Sequence, residues 1–164
     1  MRRIISLSIA SATALVAILL LTVIVLTACN SSSDNKALLE SKDGVQFSAT
    51  SIEQVAAQSK KENKPVFLLA HASYCSSCKK MIRTVLPEKV IGDLFNKCFI
   101  NAQVDIESEE GKRIVKEYAI SGTPTLLFLT PDGKIMGKAS GFHSKEELIA
   151  LTKDLSFEGN PVCE

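Results

Sequence analysis

The chain has 164 residues, with 19 lysines and arginines against 18 aspartates and glutamates, for a formal net charge of +1. So even a balance gives no reason to expect a nucleic-acid partner or a strongly acidic one. Hydrophobic residues make up 46% of the chain, a share raised by one apolar segment at its start.

In that segment Arg2 and Arg3 precede an uncharged run from Ile4 to Ala28, rich in Leu, Ile, Val and Ala. A basic start followed by an apolar run has the pattern of an export signal. The run is also long enough to span a bilayer as a retained anchor, for which about 20 apolar residues suffice. Leu26-Thr27-Ala28-Cys29 sets small residues directly before a cysteine. The arrangement resembles the lipobox of bacterial lipoproteins, whose cysteine is lipidated and becomes the mature N-terminus. That resemblance implies a signal peptide over 1–28, a lipid on Cys29, and attachment to a membrane through it. The alternative is an ordinary cysteine ending a membrane helix. Both readings leave the arginines in the cytoplasm and the rest of the chain outside, in the cell envelope, on the periplasmic side in a Gram-negative cell.

From Asn30 to about Gly44 the chain is polar, with only Ala37, Leu38 and Leu39 apolar. Such a stretch cannot bury enough surface to offset its ordering, so 29–44 is expected to be a tether. The remainder, 45–164, has the size of one domain.

Thr50 and Ser51 can cap a helix, with Glu53 and Gln54 as reciprocal partners, and Ile52, Val55, Ala56 and Ser59 form its inner face. Pro65–His71 reads as a buried strand around the run Phe67, Leu68, Leu69 and Ala70. Cys78, Met81, Ile82, Val85 and Leu86 then recur at helical spacing until Pro87. Val90, Ile91, Leu94 and Phe95 mark another helix. Cys98, Ile100, Ala102 and Val104 alternate with Phe99, Asn101, Gln103 and Asp105, which predicts a strand with one apolar face. Ile114, Val115 and Tyr118 suggest a further helix. Thr125–Thr130 and Lys134–Ser140 read as strands joined through Pro131-Asp132-Gly133. Ser144 with Glu147 makes a capping box for a last helix carrying Leu148, Leu151 and Leu155. Strands alternating with helices, closed by a hairpin and a helix, predict an α/β fold with helices on both faces of the sheet.

The chemistry concentrates at Tyr74-Cys75-Ser76-Ser77-Cys78-Lys79-Lys80. This spacing puts Cys75 at the mouth of a helix and Cys78 one turn inside it. A helix N-terminus offers unpaired N–H groups and the positive end of the dipole, and both stabilise a thiolate. Cysteines in such places titrate at roughly 3.5–7.5 instead of about 8.5. The thiolate attacks a disulfide, and the second thiol resolves the mixed disulfide. Half of a zinc site is the competing reading, but no second CxxC or HxxxH pair is present to complete one. No metal or other cofactor is therefore expected.

With its CxxC at the first strand–helix junction and Gly122-Thr123-Pro124-Thr125 before a later strand, the chain resembles the thioredoxin superfamily over about Ser51 to Leu155. It is most similar to the exported branch, through the run Lys64-Pro-Val-Phe-Leu-Leu-Ala-His-Ala-Ser-Tyr-Cys75. The resemblance implies a thioredoxin-like fold with a central mixed sheet, and protein thiols and disulfides as substrates. It implies Cys75 as the attacking cysteine, Cys78 as the resolving one, and Pro124 as a cis-proline facing them, with the Thr123 backbone docking an extended client. It also implies a lean towards reductase or interchange activity fed by a membrane electron donor.

Leu69 stands where many relatives carry a buried carboxylate that accepts the resolving thiol's proton. His71, on the same strand face and nearer the cysteines, is either a substitute acceptor or a packed structural histidine. Tyr74 takes the place of the family's usual Trp as a shield. His143 is expected on the surface, and Cys98 as an inert thiol on the apolar face of its strand. Cys163 in the tail can pair with Cys98, pair between molecules, or stay free. Two other functions compete with an oxidoreductase: a non-catalytic binding module with a fixed Cys75–Cys78 disulfide, and a metal or haem-apoprotein chaperone using the two thiols.

Overall fold

The computed structural model describes residues 43–163. The export segment, Cys29 and nearly all of the tether lie outside the described residues.

Four strands form a mixed sheet in the order β2-β1-β3-β4. They are β1 (Val66–His71), β2 (Ile100–Asp105), β3 (Thr125–Leu129) and β4 (Ile135–Ser140). β1 runs parallel to β2 and antiparallel to β3, with Val66 opposite Ile100, His71 opposite Asp105 and Ala70 opposite Thr125. Among the described residues five helices flank the sheet: α1 (Ile52–Glu62), α2 (Ser76–Thr84), α3 (Lys89–Cys98), α4 (Glu109–Glu117) and α5 (Lys145–Lys153). Helices α2, α3 and α5 bury Met81, Ile91, Phe95 and Leu148 against Phe67, Leu69, Leu126 and Phe128 on one face. Helices α1 and α4 bury Val55 and Ile114 against Val66, Leu68, Ala70, Ile100, Ala102 and Leu127 on the other. The expected α/β fold, with helices on both faces, is the one observed.

Local chemistry sets the helix boundaries. Ser51 and Gln54 exchange backbone-to-side-chain hydrogen bonds of 3.3 Å each way at the start of α1. The helix ends at Asn63, which adopts the left-handed conformation with φ 48°. Ser144 and Glu147 cap α5 in the same reciprocal manner, at 2.7 and 3.3 Å.

Three expectations are corrected. β2 does not have one buried and one exposed face: Asn101, on the side expected to be polar, is 3% exposed, because helices cover both sides of the sheet. Asn101 is tolerated there because its amide nitrogen donates to Asn96 Oδ1 at 2.9 Å. Cys98 is not on a strand at all; it is the last residue of α3, whose apolar spacing continues through it. Its partner is Cys163. Two short strands, β5 (Ser156–Phe157) and β6 (Asn160–Pro161), form a terminal hairpin the sequence reading missed. Its turn residues Glu158 and Gly159 have φ of 54° and 79°. Glu-Gly is a weaker signal for such a two-residue turn than Asn-Gly.

Candidate active site

β1 delivers the chain to the site. Its last residue, His71, is followed by Ala72-Ser73-Tyr74, a turn in which Cys75 N–H donates to the Ala72 carbonyl at 3.1 Å. Cys75 is the N-cap of α2, with extended backbone angles, and its sulfur accepts the Cys78 N–H at 3.1 Å. The sulfur atom thus performs the role that a Ser or Asp oxygen has at other helix starts. The first turn of α2 carries no acidic residue, so nothing there competes with a sulfur anion for the helix's positive end. Ser77 Oγ lies 3.4 Å from Cys75 Sγ, which identifies the one of the two intervening hydroxyls that is in reach.

Cys75 and Cys78 are joined as a disulfide with S–S 2.06 Å and Cα atoms 5.2 Å apart. Their burial differs: Cys75 is 7% exposed and Cys78 1%. Beneath them lie Ala72 and Ile106. Tyr74, 68% exposed, stands beside the pair at the surface. A buried sulfur next to a less buried one that accepts a backbone N–H can divide the labour of exchange, the outer attacking and the inner resolving.

The Thr123–Pro124 peptide bond is cis. β3 begins at Thr125, opposite Ala70 of β1, so Pro124 falls at the level of His71, at the sheet end where the CxxC emerges. The Pro124 carbonyl accepts the Gly141 N–H at 2.8 Å, tying its loop to the one that follows β4. Next to Gly141, Phe142 lies under Lys80 of α2, with Nζ 4.4 Å from the ring centroid. The sequence reading did not single out Phe142; only the antiparallel pairing of β3 with β4 brings it beside the CxxC helix.

Leu69 is fully buried in the core beside Met81, so no carboxylate occupies that place. His71 shares its face, since residues two apart on a strand point the same way. Burial pushes the His71 pKa below its ordinary value, and the Asp105 carboxylate opposes the shift. Asp105 was not flagged from sequence, because its proximity to His71 is a matter of strand register. His143 departs from the expected surface position: its ring is buried at Nε2 and its Nδ1 is 3.7 Å from a Glu147 oxygen. No group of three or more His, Cys, Asp and Glu side chains that could hold a metal ion is found among the described residues.

Fold and site together define a thioredoxin-like domain with a CxxC disulfide at a helix start. The family model for the thioredoxin-like domain matches residues 52–156, and the chain belongs to that family. Among curated relatives, a thiol:disulfide interchange protein DsbD of Campylobacter jejuni is 31% identical over 98 residues, or 59% of this chain. The protein of the same name in Yersinia pestis is 28% identical over 101 residues, 60% of this chain. The chain spans 17% of the length of each. Among solved structures, a disulphide-isomerase candidate from Bacteroides thetaiotaomicron superposes with TM-score 0.61 and 27% identity, covering 68% of this chain and 93% of that one. The oxidised C-terminal domain of DsbD from Neisseria meningitidis has the same fold at TM-score 0.55 and 24% identity, covering 65% and 94%.

Proposed function

We propose that this protein is a cell-envelope thiol–disulfide oxidoreductase that reduces or interchanges disulfides in exported proteins, held to a membrane by a lipid on Cys29. The observation that carries the reading is the Cys78 N–H directed at Cys75 Sγ at 3.1 Å, at a helix start without acidic side chains. That donor stabilises the thiolate, so exchange can begin there at neutral pH.

In the reduced protein, Cys75 thiolate attacks one sulfur of a client disulfide. A mixed disulfide forms and the client's other sulfur leaves as a thiolate. Cys78, deprotonated, then attacks Cys75 Sγ, closing the Cys75–Cys78 bond and releasing the client's second sulfur. Two electrons pass from the protein's dithiol to the client, and the two protons lost by Cys75 and Cys78 balance those the client thiols take up. The Thr123 backbone and cis-Pro124 dock the client in extended form. A membrane dithiol donor, of the kind the DsbD relatives suggest, returns the pair to its reduced state. Ser77 Oγ, 3.4 Å from Cys75 Sγ, can donate to the thiolate once the pair is open, which stabilises the reduced form and raises the potential of the pair; the reducing direction rests on the likeness to interchange proteins.

The test is insulin reduction by the full chain with dithiothreitol as donor. Turnover is expected for the wild type and its loss for Cys75→Ser, whereas Cys78→Ser should accumulate a client-linked mixed disulfide. A wild type that does not exceed dithiothreitol alone overturns the reading and favours a binding module. For the anchor, Cys29→Ser should move the protein from the membrane to the soluble fraction of the host cell envelope; unchanged fractionation refutes lipidation.

A further inference from the structure

A second disulfide joins Cys98 to Cys163, and nothing in the exchange cycle uses it. Its placement is the reverse of the first. Cys75 caps the start of α2, where the dipole and free N–H groups favour a sulfur anion. Cys98 is the last residue of α3, where a thiolate would face the negative end of a helix and its unpaired carbonyls. A sulfur there is a poor nucleophile and a poor leaving group in exchange. It is also enclosed, Cys98 being 6% exposed.

The two bonds lie at opposite ends of the sheet. Cys98 comes two residues before Ile100, which opens β2, pairs with Val66 at the start of β1 and donates its N–H to the Pro65 carbonyl at 2.8 Å. Cys75 follows the other end of β1. The six residues of β1 at about 3.3 Å each put about 20 Å of strand between them. No rotation of side chains brings one pair of sulfurs into contact with the other. The tail that carries Cys163 is itself built into the domain: Val162 N–H donates to the Leu155 carbonyl at 3.1 Å, and Val162 and Cys163 pack on the core.

We propose that Cys98–Cys163 is a permanent structural bond, isolated from the Cys75–Cys78 cycle and made by a separate oxidation. Closing it removes two protons and two electrons from two thiols, and the electrons pass to the disulfide of an oxidising dithiol–disulfide protein outside the cytoplasm. The protein is therefore a client of an oxidase before it acts as a reductase. Its own thiolate cannot undo the bond within one molecule. The inference extends the proposed function by dividing the cysteines into an exchanging pair and a fastening pair.

The experiment is a redox titration of the full chain in glutathione buffers of graded ratio, with alkylation of free thiols and peptide mass mapping. Cys98 and Cys163 should stay unlabelled until the buffer is roughly 100-fold more reducing than the one that opens Cys75–Cys78. Opening of both pairs within a tenfold range, or of Cys98–Cys163 first, overturns the proposal, as does finding Cys98 free in the protein isolated from the cell envelope. In a second measurement the double variant Cys98→Ala/Cys163→Ala, if folded, should keep at least half of the insulin-reduction rate; a greater loss also overturns it. Failure of the wild type to reduce insulin would remove the proposed activity, while the difference between the two titrations would still be read.

Discussion

His71 is a histidine placed where charge is costly. It ends β1 half-buried, on the face that also carries the fully buried Leu69, and burial lowers its pKa from the ordinary 6.5 against the pull of Asp105. Between the lowered value and 6.5 the unfolded chain binds a proton that the folded one does not. Stability therefore rises with pH through that window and is lost as pH falls through it. A thermal-unfolding series from pH 8 to pH 5 should show a steeper decline for the wild type than for His71→Gln; equal slopes would mean that the imidazole is not desolvated. At the same scale, the surroundings of Cys75 Sγ are those that would favour a thiolate once the disulfide is opened. They are one backbone N–H at 3.1 Å and one hydroxyl at 3.4 Å.

At the scale of elements, α4 meets the strand end beside the CxxC pair through a single glycine. A Cβ at Gly111 would stand 1.9 Å from the Asp105 carbonyl oxygen and 2.7 Å from the Ile106 Cα, so α4 rests directly on the end of β2. Ile106 in turn packs against Cys75 and Cys78. Gly111→Ala must push the helix from the strand, and overpacking of this kind costs about 1–3 kcal/mol. Urea unfolding should show that loss, with the active-site pair opening at a milder redox ratio as its support moves. A variant as stable as the wild type would show that the contact yields freely. Gly92 of α3 is similarly confined, with its Cβ position 2.2 Å from the Asp43 carbonyl oxygen. The domain's packed chain therefore already includes Asp43 and Gly44, at the edge of what reads from sequence as tether.

For the whole molecule, the sheet is a shared wall between two cores. On the α2, α3 and α5 side, Phe67, Phe95, Phe99 and Phe128 form a cluster, with ring centroids 4.8 Å apart for Phe67–Phe95 and 5.4 Å for Phe99–Phe128. These rings fill the space below α3, and the tail is fastened beside them by Cys98–Cys163, which closes a sequence separation of 65. In the chain-entropy account a loop of that length contributes about 4 kcal/mol. Breaking it in the Cys98→Ala/Cys163→Ala variant should lower Tm by on the order of 10 °C. A Tm within two or three degrees of the wild type would mean that the tail's own packing holds it in place.

The sequence alone determined what local rules control. Capping boxes at Ser51 and Ser144, the buried run of β1, the strand–CxxC–helix junction and the Pro131-Asp132-Gly133 turn all rest on neighbours a few residues apart, so composition and spacing reveal them. The place of Cys75 and Cys78 was legible for the same reason, since a helix start and the cysteine that caps it are adjacent in the chain. Tertiary structure decided the rest. Asp105 beside His71, Phe142 beside Lys80, the burial of Asn101 and the pairing of Cys98 with Cys163 depend on register and on which helices cover which face. Those are long-range packing choices, and no short stretch of residues carries them.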